Sequence, residues 1–293
     1  MVRALRYLVV AGLLVLGTVA AAPATAAAPT ATEKARATPM ACGGVTTGAV
    51  FGGYRSRMVC NSTLLDGFGT TAAAAQQNLN SMYNVATWTG VYCSTGTLPQ
   101  PVSGGYRVTL TCNNKRIDGL GTTLTDVGNN LYLLADVAGD TGLFCGYTVV
   151  GAPVGGYRLE QSCNNMRVDG YAGTLTGAGS NGAAFARLAG QFGVYCYTAT
   201  FQSVGGGFRI GLTCNSRAVA GAGNTVTEAA NIMYNFAHLF ATTGRYCGGA
   251  GYENIPGGKR VTMTCYPTGG YRTGEGATIT IAAQNAYYAA LAP

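Results

Sequence analysis

Residues 93–112 read CSTGTLPQPVSGGYRVTLTC, two cysteines with a Pro-Val-Ser-Gly-Gly run (residues 101–105) midway between them. Gly and Pro supply the backbone angles a turn requires, so the stretch folds back on itself and brings Cys93 opposite Cys112. After the turn, Tyr106, Val108, Leu110 and Cys112 alternate with Arg107, Thr109 and Thr111. This period of two marks a half-buried strand, with the apolar set facing inward and the arginine and threonines outward. Phe208, Ile210, Leu212 and Cys214 repeat the inward set.

The same pattern recurs along the chain. Cysteines stand at 42 and 60, 93 and 112, 145 and 163, 196 and 214, and 247 and 265; first members are 51 or 52 residues apart and partners 18 or 19 apart. A fixed period of this size is the signature of a repeat architecture. Turn signals fall at the other midpoints too: Val50-Phe51-Gly52-Gly53, Pro153-Val154-Gly155-Gly156, Val204-Gly205-Gly206 and Pro256-Gly257-Gly258. Hairpins folded there place cross-strand neighbours within disulfide reach. The predicted bridges are Cys42–Cys60, Cys93–Cys112, Cys145–Cys163, Cys196–Cys214 and Cys247–Cys265, each worth about 3 kcal/mol on the chain-entropy model. A rival pairing joins each second cysteine to the first of the next unit and leaves Cys42 and Cys265 to close a ring. Metal is not expected, because there is no Cys-x-x-Cys and only one histidine.

After the second cysteine come Asn61, Asn113, Asn164 and Asn215, then a glycine-containing bend with Asp66, Asp118 or Asp169 before glycine. The period then becomes helical: Leu79, Met82, Tyr83, Ala86; Leu131, Leu134, Ala135, Ala138; Met233, Phe236, Ala237, Phe240. Thr71, Thr123 and Thr225 are N-cap candidates, and Gly90, Gly142, Gly193 and Gly244 end the helices. Gly177, Gly179 and Gly182 interrupt the third, which is expected to start late.

The fold class is therefore α+β: five tandem ββα repeats of about 51 residues, each a disulfide-stapled β-hairpin plus helix, with boundaries at 41–91, 92–143, 144–194, 195–245 and 246–293. One unit cannot bury its own helix stripe, so neighbours must cover it. A closed pseudo-five-fold disc or a compact stack would do so. The terminal units are as apolar as the middle ones, with Met82 and Tyr83 in the first and Ile279, Ile281 and Tyr287 in the last, which favours closure over an open stack with polar caps.

The N-terminus has a basic start at Arg3 and Arg6, an apolar run from Tyr7 to about Ala21, and small residues that place cleavage after Ala24 or Ala26. Residues 1–26 read as a secretory signal and 27–40 as a flexible leader. Residues 39–41 before Cys42 lack the aliphatic residue a lipid-attachment site needs. No later run is long and apolar enough to span a membrane, so the expected location is secreted, extracellular or cell-surface. Four of the 18 cations and one of the 11 acids precede residue 41, so the net charge of +7 falls to about +4 across the repeats. That mild excess lacks the concentrated basic face of nucleic-acid binders.

Function must come from repeated positions. Arg55, Arg107, Arg158, Arg209 and Arg260 all lie five residues before a second cysteine, and Tyr54, Tyr106 and Tyr157 precede the first three. Guanidinium and aromatic groups suit sugar hydroxyls, carboxylates or phosphates; arginines at structurally equivalent places also serve as internal ion pairs. Asp66, Asp118 and Asp169 read as turn-forming Asp-Gly steps, with a glycosidase carboxylate pair as the other option. His238 sits between Ala237 and Leu239 as an ordinary helix residue. No catalytic set and no cofactor are expected. The leading expectation is a non-enzymatic protein that binds a glycan or anionic cell-envelope polymer multivalently; a self-assembling coat protein, an inhibitor or toxin subunit acting on another secreted protein, or a hydrolase are the alternatives.

Overall fold

A three-stranded antiparallel meander followed by a helix is the repeating element of this computed structural model, which describes residues 41–292 apart from Thr268. The signal and leader assigned to residues 1–40 lie outside the described residues. Unit one comprises β1 (Thr46–Val50), β2 (Gly53–Cys60), β3 (Thr63–Gly69) and α1 (Ala72–Thr89), and unit two β4 (Cys93–Val102), β5 (Gly105–Cys112), β6 (Lys115–Gly121) and α2 (Leu124–Thr141). Unit three has β7 (Cys145–Gly151), β8 (Tyr157–Cys163), β9 (Met166–Ala172) and α3 (Leu175–Phe192); unit four has β10 (Cys196–Val204), β11 (Gly207–Cys214), β12 (Arg217–Gly223) and α4 (Val226–Thr243). Unit five has β13 (Tyr246–Ile255), β14 (Gly258–Tyr266), β15 (Gly270–Gly276) and α5 (Ile279–Leu291).

The hairpins fold at the cysteine midpoints, and Cys93 faces Cys112, Cys145 faces Cys163, Cys196 faces Cys214 and Cys247 faces Cys265 in register. All five within-unit disulfides are formed. Helix caps follow the local chemistry. Thr71, Thr123, Thr174, Thr225 and Thr278 each accept a backbone N–H from the first turn, and Gly90, Gly142, Gly193 and Gly244 close the helices in the left-handed conformation.

Two expectations change. The segment after the second cysteine is a third strand, so the unit is βββα rather than ββα. Its tight turn lies earlier, at Asn61-Ser62, Asn113-Asn114, Asn164-Asn165 and Asn215-Ser216, where both residues have positive φ, the two-residue hairpin geometry that asparagine tolerates. Asp66, Asp118 and Asp169 stand in mid-strand, paired in register with Arg57, Thr109 and Glu160, and the glycine after each is there for close approach. A Cβ on Gly67 would lie 2.2 Å from the Leu79 nitrogen, and one on Gly170 would lie 2.3 Å from the Ala178 carbonyl oxygen. The second change concerns α3, which starts at Leu175 and runs 18 residues, as long as α1, α2 and α4. Its glycines make room for neighbours: a Cβ on Gly179 would fall 2.3 Å from Asn130 Nδ2, and one on Gly182 2.7 Å from Gln161 Oε1. Tertiary packing overrides the weak helix propensity of these residues.

Successive units are joined by repeated contacts. Each helix packs on its own third strand and on the helix of the next unit. The hydroxyls of Thr125, Thr176, Thr227 and Thr280 accept the backbone N–H of Thr70, Thr122, Gly173 and Asn224 in the preceding unit. Asn78 donates to the carbonyls of Phe68 and Thr125, and Asn130 to those of Leu120 and Thr176. One apolar core runs through all five units, from Phe68 and Met82 to Val261 and Ala286. Extensive packing links consecutive units; the first and fifth make none on that scale among the described residues.

The close approach of third strand and helix gives a sharp prediction. Gly170→Ala should destabilise the protein by about 1–3 kcal/mol, because the methyl group meets backbone rather than a movable side chain. Gly48→Ala, with nothing within 4 Å, should be near neutral. Denaturant unfolding of both variants checks this; equal stabilities would contradict the packing described.

Candidate binding site

The carboxylates of Asp66, Asp118 and Asp169 are each buried and hydrogen-bonded by several donors. Their side chains are 0% exposed. Asp66 accepts Arg55 Nε at 2.8 Å and Arg57 Nε at 3.0 Å, and from the next unit the N–H and hydroxyl of Thr95 at 2.7 and 2.6 Å. Asp118 accepts Arg116 Nε, the Thr109 hydroxyl and, from unit three, the Thr148 N–H at 3.1 Å. Asp169 accepts Arg158, Arg167, the Tyr171 hydroxyl and, from unit four, the Thr198 N–H at 2.9 Å. In each case the first strand of the following unit reaches the carboxylate at a register irregularity, beside Thr95, within Gly146–Val149 and beside Thr198. A bulge re-aims the backbone, and here it turns an N–H towards the neighbour's aspartate. Burial together with Asp169 pushes the Glu160 carboxyl above its ordinary range and the Tyr171 hydroxyl well above its own.

This network places the five arginines. Arg55 and Arg158 are held by buried aspartates, and Arg260 by Glu253 and Glu275. Arg107 donates to the Thr148 carbonyl at 3.2 Å, and Arg209 to Gln202 Oε1 at 3.4 Å. The five share an equivalent register position but have five different surroundings. Of the tyrosines, Tyr54 is 39% exposed. Tyr106 and Tyr157 are half-buried at inter-unit junctions, their rings against the turn glycines of the preceding unit, where a Cβ on Gly52 or Gly104 would lie 2.7 Å or less from ring atoms.

A different row of residues forms a repeated surface. Tyr92, Phe144, Tyr195 and Tyr246 each directly precede the first cysteine of a unit and are half-buried. The second residues of the preceding hairpin turns, Ser62, Asn114, Asn165 and Ser216, are all exposed, and Asn114 shares a groove with Phe144. Lys115 Nζ stands 4.7 Å from the Phe144 ring centroid and the Arg217 guanidinium 5.2 Å from that of Tyr246, and Tyr246 stacks on Tyr266 at 5.1 Å. Between units two and three this becomes an open groove lined by Asn114, Lys115, Arg116, Phe144, Ser162 and Asn165. The signal was present in the sequence as an aromatic residue before the first cysteine in four of the five units. The turn asparagines Asn113, Asn164 and Asn215 are not free for ligands: each accepts a backbone N–H and donates to the preceding helix-capping glycine carbonyl.

His238 lies between the rings of Phe192 and Tyr234, at 6.2 and 6.3 Å between centroids. Among the described residues, no group of three or more His, Cys, Asp or Glu is placed to hold a metal ion, and no helix is long and apolar enough to cross a membrane. Comparison with protein-family models and with curated protein sequences finds no match to this chain.

Burial pushes the His238 imidazole below its ordinary value. The unfolded chain, near 6.5, therefore takes up this proton before the folded one does, so the contribution to stability is complete above about pH 6.5 and is lost as pH falls through the lower folded value. Unfolding midpoints at pH 7.5 and 5.5 should drop for the native protein on acidification, with a smaller drop for His238→Gln; identical drops would contradict the assignment.

Proposed function

We propose that this is a secreted, non-enzymatic binding protein that recognises a surface glycan or an anionic cell-envelope polymer multivalently, through the grooves between successive units. The observation that carries the reading is the repeated aromatic at Tyr92, Phe144, Tyr195 and Tyr246, with Lys115 over Phe144, Arg217 over Tyr246 and turn amides lining the groove beside Phe144. Half-exposed aromatic rings offer an apolar face to a sugar, neighbouring amides and hydroxyls pair with its hydroxyl groups, and the cations suit its acidic substituents. Weak sites held at fixed spacing on one rigid scaffold gain avidity on a polymer. The disulfides support export, since they persist in oxidising compartments.

The buried aspartates weigh against a hydrolase built on them, because a carboxylate that is 0% exposed and held by several donors is not open to a substrate. The units are best read as an open stack. Ala73 in unit one stands where Thr125, Thr176, Thr227 and Thr280 supply the joining hydroxyl, and Thr273 in unit five stands where units one to three carry aspartate. Both ends thus lack polar pieces that closure would use. A protein-contact reading draws on the exposed Tyr271, Ile281, Tyr288 and Leu291 of unit five.

Sedimentation with purified cell-wall polysaccharide, together with a glycan array, tests the proposal. The native protein should bind, and a folded Phe144→Ala, Tyr195→Ala double variant should bind at least tenfold more weakly. Absence of polysaccharide binding, with concentration-dependent assembly in light scattering, would replace it with the coat-protein reading.

A further inference from the structure

The fourth junction differs from the first three in one chemical respect. Ala220 occupies the strand position held by Asp66, Asp118 and Asp169, pairing with Gly211 as they pair with Arg57, Thr109 and Glu160. Around this alanine the rest of the apparatus is kept. The bulge in the following unit persists, at Gly248–Gly251, with the same offset from the cysteine as Gly146–Val149 in unit three. The strands meet in the same way, since a Cβ on Gly248 would strike Ala218 as one on Gly146 would strike Arg116. Arg209 is retained at the register position of Arg55 and Arg158, but the carboxylate that those arginines use is absent.

Two buried donors are left without an acceptor there. Arg209 Nε and the Tyr252 hydroxyl are inaccessible to solvent and have no hydrogen-bond partner in the protein. Arg209 lies within electrostatic reach of the Tyr252 hydroxyl, whose pKa is raised by burial, an effect the Arg209 charge opposes. In unit three a buried tyrosine, Tyr171, donates its hydroxyl to Asp169, so an arginine, a tyrosine and a bulge N–H around one carboxylate is an arrangement this fold already uses. A guanidinium N–H can only donate, and leaving buried donors unmet costs about 1–3 kcal/mol each. At the second junction, where Arg107 Nε is also unpartnered, the carboxylate of Asp118 is present and held by Arg116. The fourth junction has neither.

We propose that the junction between units four and five is a binding site for a carboxylate group supplied by a ligand, which takes the place of the missing aspartate between Arg209, Tyr252 and the Gly248–Gly251 bulge. Tyr252 borders a depression lined also by Gly205, Glu253, Asn254, Lys259, Arg260 and Ile279, in which the Glu253 carboxylate is held by Arg260 and which gives an approach from solvent. A small organic acid or the carboxylate of an acidic sugar offers the same chemistry. This site is separate from the aromatic grooves and does not depend on them.

Acetate is the simplest probe. Titrated against chloride at matched ionic strength, it should raise the unfolding temperature saturably and shift the backbone amide resonances of residues 248–252 in the native protein. Galacturonate should do so at lower concentration than acetate if an acidic sugar is the source, and no better if a free organic acid is. Arg209→Gln should weaken acetate binding at least tenfold, and Ala220→Asp should abolish it while raising the unfolding temperature in chloride alone. Equal effects of acetate and chloride on the native protein, or undiminished acetate binding by a folded Ala220→Asp variant, would overturn the proposal; the native-protein resonances decide the matter even if a variant does not fold.

Discussion

A carboxylate buried in mid-strand has to be surrounded by donors, and in the first three units of this chain those donors come from two units at once. Asp66, Asp118 and Asp169 take arginine from their own sheet and a backbone N–H from the first strand of the next. Removing such a group from water is costly, and the cost is met only when the geometry is complete. Each aspartate therefore requires the next unit to be docked in register, with its bulge turned to the carboxylate. The disulfide staples the hairpin that carries this bulge, the third-strand glycines bring the helix against the sheet, and the threonine hydroxyls at the helix starts repeat the inter-unit link on the other side. Stability of one unit and stacking of two are consequently a single problem, as expected of quasi-one-dimensional repeats.

Much of this was legible in the amino-acid order. The cysteine spacing, the Gly-Gly midpoints and the alternation from Tyr106 to Cys112 define the stapled hairpin, and Thr71 with Gly90 brackets a helix by capping chemistry alone. The third strand was not legible because Asp-Gly has two physical meanings. Glycine supplies turn angles, but it also allows close approach, and at Gly67 and Gly170 the second use applies. The same ambiguity hid the full length of α3, where Gly179 and Gly182 make room for Asn130 and Gln161. Whether a glycine bends the chain or admits a neighbour depends on tertiary contacts that a single repeat does not contain.

The candidate site was legible only in part. Equal spacing of Arg55, Arg107, Arg158, Arg209 and Arg260 reflects equal register in the sheet, and their chemistry is set by the acids around them, which vary from unit to unit. The aromatic residue ahead of four of the five first cysteines was visible, but its meaning needed the fold, because the cations beside Phe144 and Tyr246 come from the unit before. The departures within the repeat are more informative than its regularity. Ala220 breaks the aspartate series while Arg209 and the bulge are retained, and Ala73 and Thr273 remove joining groups at the two ends.

The central claim, that the third-strand carboxylates hold successive units together through the bulge amides, is tested most directly by native-state hydrogen exchange in chloride buffer. The amides of Thr95, Thr148 and Thr198 should exchange only with large-scale unfolding, far more slowly than that of Gly249, whose junction has Ala220 in place of an aspartate. Exchange at Thr95, Thr148 and Thr198 as fast as at Gly249 would contradict the account.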